Sequence, residues 1–305
     1  STHCISSAAS DVYKRQPFIV NVAGLVFNVV LDPVLIFGIG PFPELGVSGA
    51  AAATVTAQAL VSLLFFKAVL REKVLFPHLR LWVLVPVKVW REIVRIGVPS
   101  AVQNLIYAGI SMILTRLITG WGDLAVAAQR VGSQIESVSW MVGDGFSAAV
   151  NAFLGQNYGA KRYDRVRRGY FCAIAMTAAW GLCTTFLLIG MARPLFSIFL
   201  QEEEVMAIGI NYLRIVGLSQ MFMMVEQTSI GAFSGLGRTL YPSIVSVTFT
   251  SARIPVAVLL SSVMGLSGIW WALSISSMVK GCILFVSFVV FLYVFLERKK
   301  DEKTV

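Results

Sequence analysis

Eight long apolar segments dominate this chain, at residues 17–39, 46–69, 97–119, 124–154, 169–192, 205–234, 241–263 and 267–296. A helix needs about 20 mostly apolar residues to cross a bilayer, and each segment is long enough. Inside the hydrocarbon layer a segment must satisfy its own backbone N–H and C=O groups, which a helix does and an open strand does not. The expected fold class is therefore all-α, a polytopic membrane protein with eight transmembrane helices. Composition agrees. Of 305 residues, 57% are hydrophobic and 13% charged, where a soluble domain has roughly 45–50% and about 25%. That balance excludes a soluble enzyme and a disordered chain.

The net charge of +9 invites a nucleic-acid reading, but its placement argues otherwise. Lys67, Arg71, Lys73, Arg80, Lys88, Arg91 and Arg95 lie between the second and third segments. Lys161, Arg162, Arg165, Arg167 and Arg168 lie between the fourth and fifth, Arg238 between the sixth and seventh, and Arg298, Lys299, Lys300 and Lys303 after the last. The intervening connections hold one base, Arg193, with Glu44, Asp123, Glu202, Glu203 and Glu204. The excess of Lys and Arg marks the cytoplasmic side. Both ends of the chain then face the cytoplasm, in a cell membrane, and no nucleic-acid partner is needed.

Catalytic chemistry has no foothold. HExxH, GxSxG and GxxxxGK[ST] do not occur, and neither His3 nor His78 stands in an apolar segment. Cys4, Cys172, Cys183 and Cys282 form no CxxC pair, and three of them sit in apolar runs, where a thiol behaves as a small hydrophobe. No cofactor is expected.

Residues 1–16 are expected to be a non-native tail, because Asp11-Val12-Tyr13-Lys14-Arg15-Gln16 is what the transposon end used in sequencing libraries encodes. Residues 17–69 then hold two helices, 70–96 a cytoplasmic linker, 97–297 a six-helix lobe and 298–305 a basic cytoplasmic tail. The linker mixes Trp82, Val85, Val87, Val89, Trp90, Ile93 and Val94 with Lys88, Arg91, Glu92 and Arg95, the pattern of an interfacial amphipathic helix. An internal repeat joins the two parts. Gly46-Val-Ser48-Gly49 opens the second segment and Gly265-Leu-Ser267-Gly268 the eighth, while Pro33 and Pro255 stand in the segments before them. Four helices precede the second copy and none the first. The chain is thus expected to be the C-terminal two-thirds of a twelve-helix, two-lobe protein of roughly 430 residues, and not to function alone.

Ionisable groups inside spanning segments are costly and are functional candidates by default. Asn28 and Asp32 share a helix face at i, i+4, and Pro33 frees the carbonyl one turn earlier. Burial of Asp32 disfavours its charged form, so it is expected to load and release a proton; the competing reading is a polar knot that sets packing. Glu226 sits among Met221, Met223 and Met224 and beside Gln227. Either the flexible methionines and the acid receive varied apolar cations, or the methionines are core and Glu226 pairs with a nearby base. Gln103 and Asn104 could hydrogen-bond into the same cavity. Glu136 stays open between roles, while Gly143 and Gly145 around Asp144 suggest tight packing. The bases Arg116, Arg130, Arg214, Arg253 and Lys280 are weaker signals, since long cationic side chains can snorkel or pair.

Asn28-x-x-x-Asp32-Pro33 with Glu44-Leu-Gly46-Val-Ser-Gly49 resembles helices five and six of the multidrug and toxic compound extrusion family. Gly97-Val-Pro99-Ser-Ala-Val-Gln103-Asn104, Gly155-Gln156-Asn157-Tyr158-Gly159 and Gly231-Ala-Phe-Ser-Gly235-Leu-Gly237 resemble later parts of it in order. The resemblance implies twelve helices in two lobes around a cavity, and a monomeric antiporter that expels amphipathic, often cationic, small molecules in exchange for H+ or Na+. It makes Asp32, Asn28 and Thr54 the ion-coupling group, and Glu226, Gln227, Gln103, Asn104, Met223 and Glu136 candidates for the substrate cavity. One branch of the family has an acid where this chain has Tyr107 and another near Met223. Their absence favours proton coupling in the first lobe. Alternatives are a flippase for lipid-linked saccharides, which would line its cavity with cations, and a non-transporting membrane protein.

Overall fold

Every apolar segment is helical in the computed structural model, which describes residues 2–41, 43–71, 87–200 and 202–301, with no strand among them. The helices are α1 (Thr2–Phe37), α2 (Gly46–Arg71), α3 (Val87–Thr119), α4 (Asp123–Gly159), α5 (Tyr163–Gly190), α6 (Ala192–Ser197), α7 (Glu203–Gly217), α8 (Gln220–Gly235), α9 (Leu240–Ser251), α10 (Arg253–Met264) and α11 (Leu266–Asp301).

Among the described residues the count of candidate spans is close to the eight expected. Six stretches are long and apolar enough to cross a membrane, and α7 with α8, bent by 50° at their junction, makes up to seven. The segment at 124–154 is helical throughout as α4 but falls outside that set. Its polar load, Gln129, Arg130, Gln134, Glu136, Asp144 and Asn151, explains why. The end of the expected linker and the start of the expected tail are both helical. Residues 87–96 are the first turns of α3, and α11 continues through residues 298–301. A helix of 36 residues extends about 54 Å, longer than the roughly 30 Å of a bilayer's hydrocarbon layer. Trp82 and Val85, part of the expected amphipathic pattern, lie outside the described residues.

The chain divides into two compact units, Ser1–Leu84 and Val85–Val305. The first is the α1–α2 hairpin. Its seam uses small residues at helical spacing: Ala53 and Ala57 are buried, and a Cβ on Gly24 would collide with Val61. Close approach through small residues is the usual means of helix association in membranes.

The second unit is built around α8, which packs on α4, α5 and α11. Small residues again permit the α4–α8 crossing; a Cβ on Gly155 would lie 2.9 Å from the Gly235 carbonyl oxygen. One aromatic core joins Tyr170, Phe233 and Phe288, another joins Tyr212, Trp270 and Phe196, and an aliphatic one joins Ile110, Leu114, Ile118 and Ala257. The basic connections meet at one end of this unit. Arg167 donates to Tyr293 Oη at 2.7 Å near the end of α11, Arg238 lies over Phe291, and Arg95 and Arg238 line one surface depression with Tyr158.

Both copies of the internal repeat make the same corner. Gly46 and Gly265 have φ of 55° and 63°, a left-handed conformation that glycine adopts without strain. Three residues on, a Cβ on Gly49 would collide with the Leu35 carbonyl, and one on Gly268 with the Leu260 carbonyl. The entering helices differ. Pro33 lies inside the unbroken α1, whereas α9 stops at Ser251 and Pro255 stands third in α10.

Candidate functional site

In the first unit, Asn28 Nδ2 donates to Asp32 Oδ1 at 3.4 Å, and both side chains are half-buried. Helix α1 runs through Pro33, so the Val29 carbonyl lacks its partner one turn on. The amide, the carboxylate and that carbonyl therefore lie within one turn. Thr54 is exposed on α2 and gives its hydroxyl proton to the Ala50 carbonyl at 3.0 Å. Among the described residues it makes no hydrogen bond to Asp32 or Asn28.

The second unit holds two adjoining cavities that share Tyr107 and Trp140 as walls. The first, about 340 Å³, gathers four sequence candidates, Gln103 and Asn104 from α3 with Glu226 and Gln227 from α8, and adds Asp144, Thr250 and Lys280. Lys280 Nζ donates to Glu226 Oε1 at 2.7 Å, with both side chains less than a tenth exposed. Of the two readings of Glu226, the geometry matches pairing with a base. Removing one partner of such a pair strands the other's charge and costs about 3–5 kcal/mol. The methionines follow the same reading. Met223 and Met224 are 3% and 0% exposed, and neither lines either cavity. Met223 is therefore corrected from ligand surface to core, because α8 is covered by three helices and flexible thioethers fill the irregular gaps between them. Met224 receives the Ser139 hydroxyl at 3.9 Å.

The second cavity, about 430 Å³, is lined by Glu136, Arg253 and hydroxyls that include Ser111, Thr115 and Ser277. Glu136 accepts from Trp140 Nε1 at 3.1 Å, Tyr212 Oη at 3.1 Å and Gln220 Nε2 at 3.0 Å. Three donors on one carboxylate, drawn from α4, α7 and α8, make it a node that ties the bend between α7 and α8 to α4. Arg253, 6% exposed, donates to Ser276 Oγ at 3.1 Å and Ser277 Oγ at 2.9 Å on α11. Among the described residues no ion pair joins it to Glu136.

Asp144 does not behave as expected. Gly143 is pressed towards Met224, but a Cβ on Gly145 would meet nothing within 4 Å, and Asp144 is exposed on the wall of the first cavity. Lys280 and Arg253 were undervalued. Each stands at the middle of its apolar segment, too far from either end to snorkel, and that position was the available signal. Arg116, Arg130 and Arg214 are not buried.

The MatE family model matches residues 99–259, just over half of the chain. The probable multidrug resistance protein NorM of Thermotoga maritima is 31% identical over 270 residues, covering 84% of this chain and 56% of that protein. An FAD transporter of Shewanella oneidensis is 26% identical over 273 residues, covering 88% and 59%. The solved structure of a multidrug resistance MATE family transporter of the MOP superfamily, in an outward-facing conformation, superposes with a TM-score of 0.80 at 21% identity, over 92% of this chain and 62% of that one. The chain thus spans somewhat more than half the length of the relatives it matches. A match over half its residues, joined to this fold and this degree of identity, establishes that the chain belongs to the MatE family of membrane transport proteins.

Proposed function

We propose that this chain serves a monomeric secondary antiporter of a cytoplasmic membrane, which exports amphipathic, often cationic, small molecules in exchange for H+, with Na+ as the alternative coupling ion. The observation that carries this reading is the Asn28–Asp32 pair directly before Pro33 within an apolar helix. Such a carboxylate can exist charged or neutral, and its partner and the freed carbonyl differ in how well they suit each form. Protonation of Asp32 from outside favours one packing of α1 about Pro33 and release of substrate. Loss of the proton to the cytoplasm restores the other. Exchange requires proton and substrate to favour opposite states. Thr54, whose hydroxyl oxygen can still accept, is proposed to join the site from α2. The basic end of the second unit supports a cytoplasmic assignment for that side.

The relative named an FAD transporter raises an anionic substrate, and the flippase alternative also calls for cations in the cavity. The charges favour neither. The first cavity presents two carboxylates, Asp144 and Glu226, against one ammonium, and the second balances Glu136 with Arg253.

The test uses proteoliposomes containing the complete gene product and the fluorescent cation ethidium. An imposed pH gradient should drive ethidium movement, and Asp32→Asn should slow it by at least about tenfold. Coupling unaffected by Asp32→Asn overturns the mechanism. Drive by a Na+ gradient, with none from pH, assigns the other ion.

A further inference from the structure

The second unit places three carboxylates near its cavities, and they are not equivalent. Glu226 is neutralised by Lys280 at 2.7 Å. Glu136 is saturated by donors from Trp140, Tyr212 and Gln220. Asp144 receives no hydrogen bond and no ion pair from another described residue, and it is exposed on the wall of the 340 Å³ cavity. That volume lies in the range of small-molecule sites. Asp144 follows Trp140 by four residues on α4, so the two stand on one helix face. The Trp140 and Tyr107 rings lie 6.5 Å apart at 53°, and both line the cavity. A carboxylate beside two tilted aromatic rings is the arrangement that holds a weakly hydrated organic cation, by charge and by the ring faces together.

We propose that Asp144 is the carboxylate that receives the cationic group of the ligand, with Tyr107 and Trp140 flanking it, while Lys280 serves as a resident cation that withdraws Glu226 from this task. The proposal deepens the export reading and rests on it for biological meaning, but the site can be tested without transport. Charge recognition here requires an acid whose partner is supplied by the ligand. Glu226 already has its partner, and displacing Lys280 would leave a buried ammonium alone, which is strongly unfavourable. A metal cation is poorly suited, because among the described residues no three His, Cys, Asp or Glu side chains stand together to hold one.

The experiment compares two probes of the same shape, benzyltrimethylammonium and its uncharged isostere neopentylbenzene. Their binding to the 305-residue chain in lipid nanodiscs is read by tryptophan fluorescence and calorimetry. The expected result is that Asp144→Asn weakens the cation at least about tenfold and leaves the isostere within about twofold, while Asp144→Glu retains the preference for the cation. Tyr107→Leu should weaken the cation less than Asp144→Asn does. Unchanged cation affinity in a folded Asp144→Asn chain overturns the proposal. So does loss of the cation preference in the double variant Glu226→Gln, Lys280→Met while Asp144 is intact. Cation binding through Asp144 without gradient-driven ethidium transport would overturn the export reading and leave this site standing. Transport that survives Asp144→Asn, with cation affinity unchanged, would do the reverse.

Discussion

The two copies of the repeated corner, α1–α2 in the first unit and α10–α11 in the second, share a backbone and differ in charge. In each, a left-handed glycine opens the second helix and another glycine three residues later rests on a carbonyl of the first. The first corner carries Asp32 directly before its proline, inside an unbroken helix. The second carries Arg253 two residues before its proline, at a helix break, with the guanidinium clamped on Ser276 and Ser277. One packing solution thus supports an acid with a single weak partner and a base with two firm ones. The corner fixes the backbone, and the side chains it carries differ in charge and in how firmly they are held.

The strongest way to break the comparison is to fill the corner glycines. Gly49→Val and Gly268→Val each force a side chain into a carbonyl, and both should cost at least about 3 kcal/mol in denaturation of the reconstituted chain. A large loss for only one would show that the corners are alike in shape but not in weight. A smaller effect separates the charges. Arg253→Met should lower stability by about 2 kcal/mol, because it removes two charge-assisted hydrogen bonds. Asp32→Asn should stay within about 0.5 kcal/mol while slowing coupled transport by at least about tenfold. Equal destabilisation would make Asp32 the polar knot and not the proton site. The smallest difference concerns the prolines. Pro255 stands in the first turn of α10, where its missing N–H removes no intrahelical bond, so Pro255→Ala should be near neutral. Pro33→Ala restores the bond to Val29 and should stabilise α1 by about 1 kcal/mol, within the ~3 kcal/mol range of helix-interior prolines, and slow any bending there. The same melts, with amide exchange across α1, read both.

Much of this was legible in the residues. The helices follow from the length of the apolar segments, and the shared basic end of the second unit follows from where Lys and Arg stand. The Asn28–Asp32 pair lies within a single turn, and local spacing decides local contacts. The candidates brought together at the first cavity, Gln103, Asn104, Glu226 and Gln227, came from the family resemblance and from polarity in apolar helices. Met223 is buried where a ligand surface was expected, and Asp144, read from its flanking glycines as a packing residue, is exposed on the cavity wall. A methionine cluster fills a core as well as it lines a site, and the glycines flanking Asp144 pack on one side only.

What the sequence determined by itself is a set of apolar helices, their alternation of charged and uncharged ends, and contacts one turn apart. Partners across helices were decided only by the tertiary structure. Lys280 meets Glu226 across 54 residues, and Gln220 and Tyr212 reach Glu136 from 84 and 76 residues away. The reason is physical. In a membrane helix the face towards lipid and the face towards a neighbour are both apolar, so periodicity does not say which way a residue points. Each residue turns the helix by about 100°. Only the packing of α4, α8 and α11, set by where small residues let backbones approach, fixes which carboxylates acquire partners and leaves Asp144 open to the cavity.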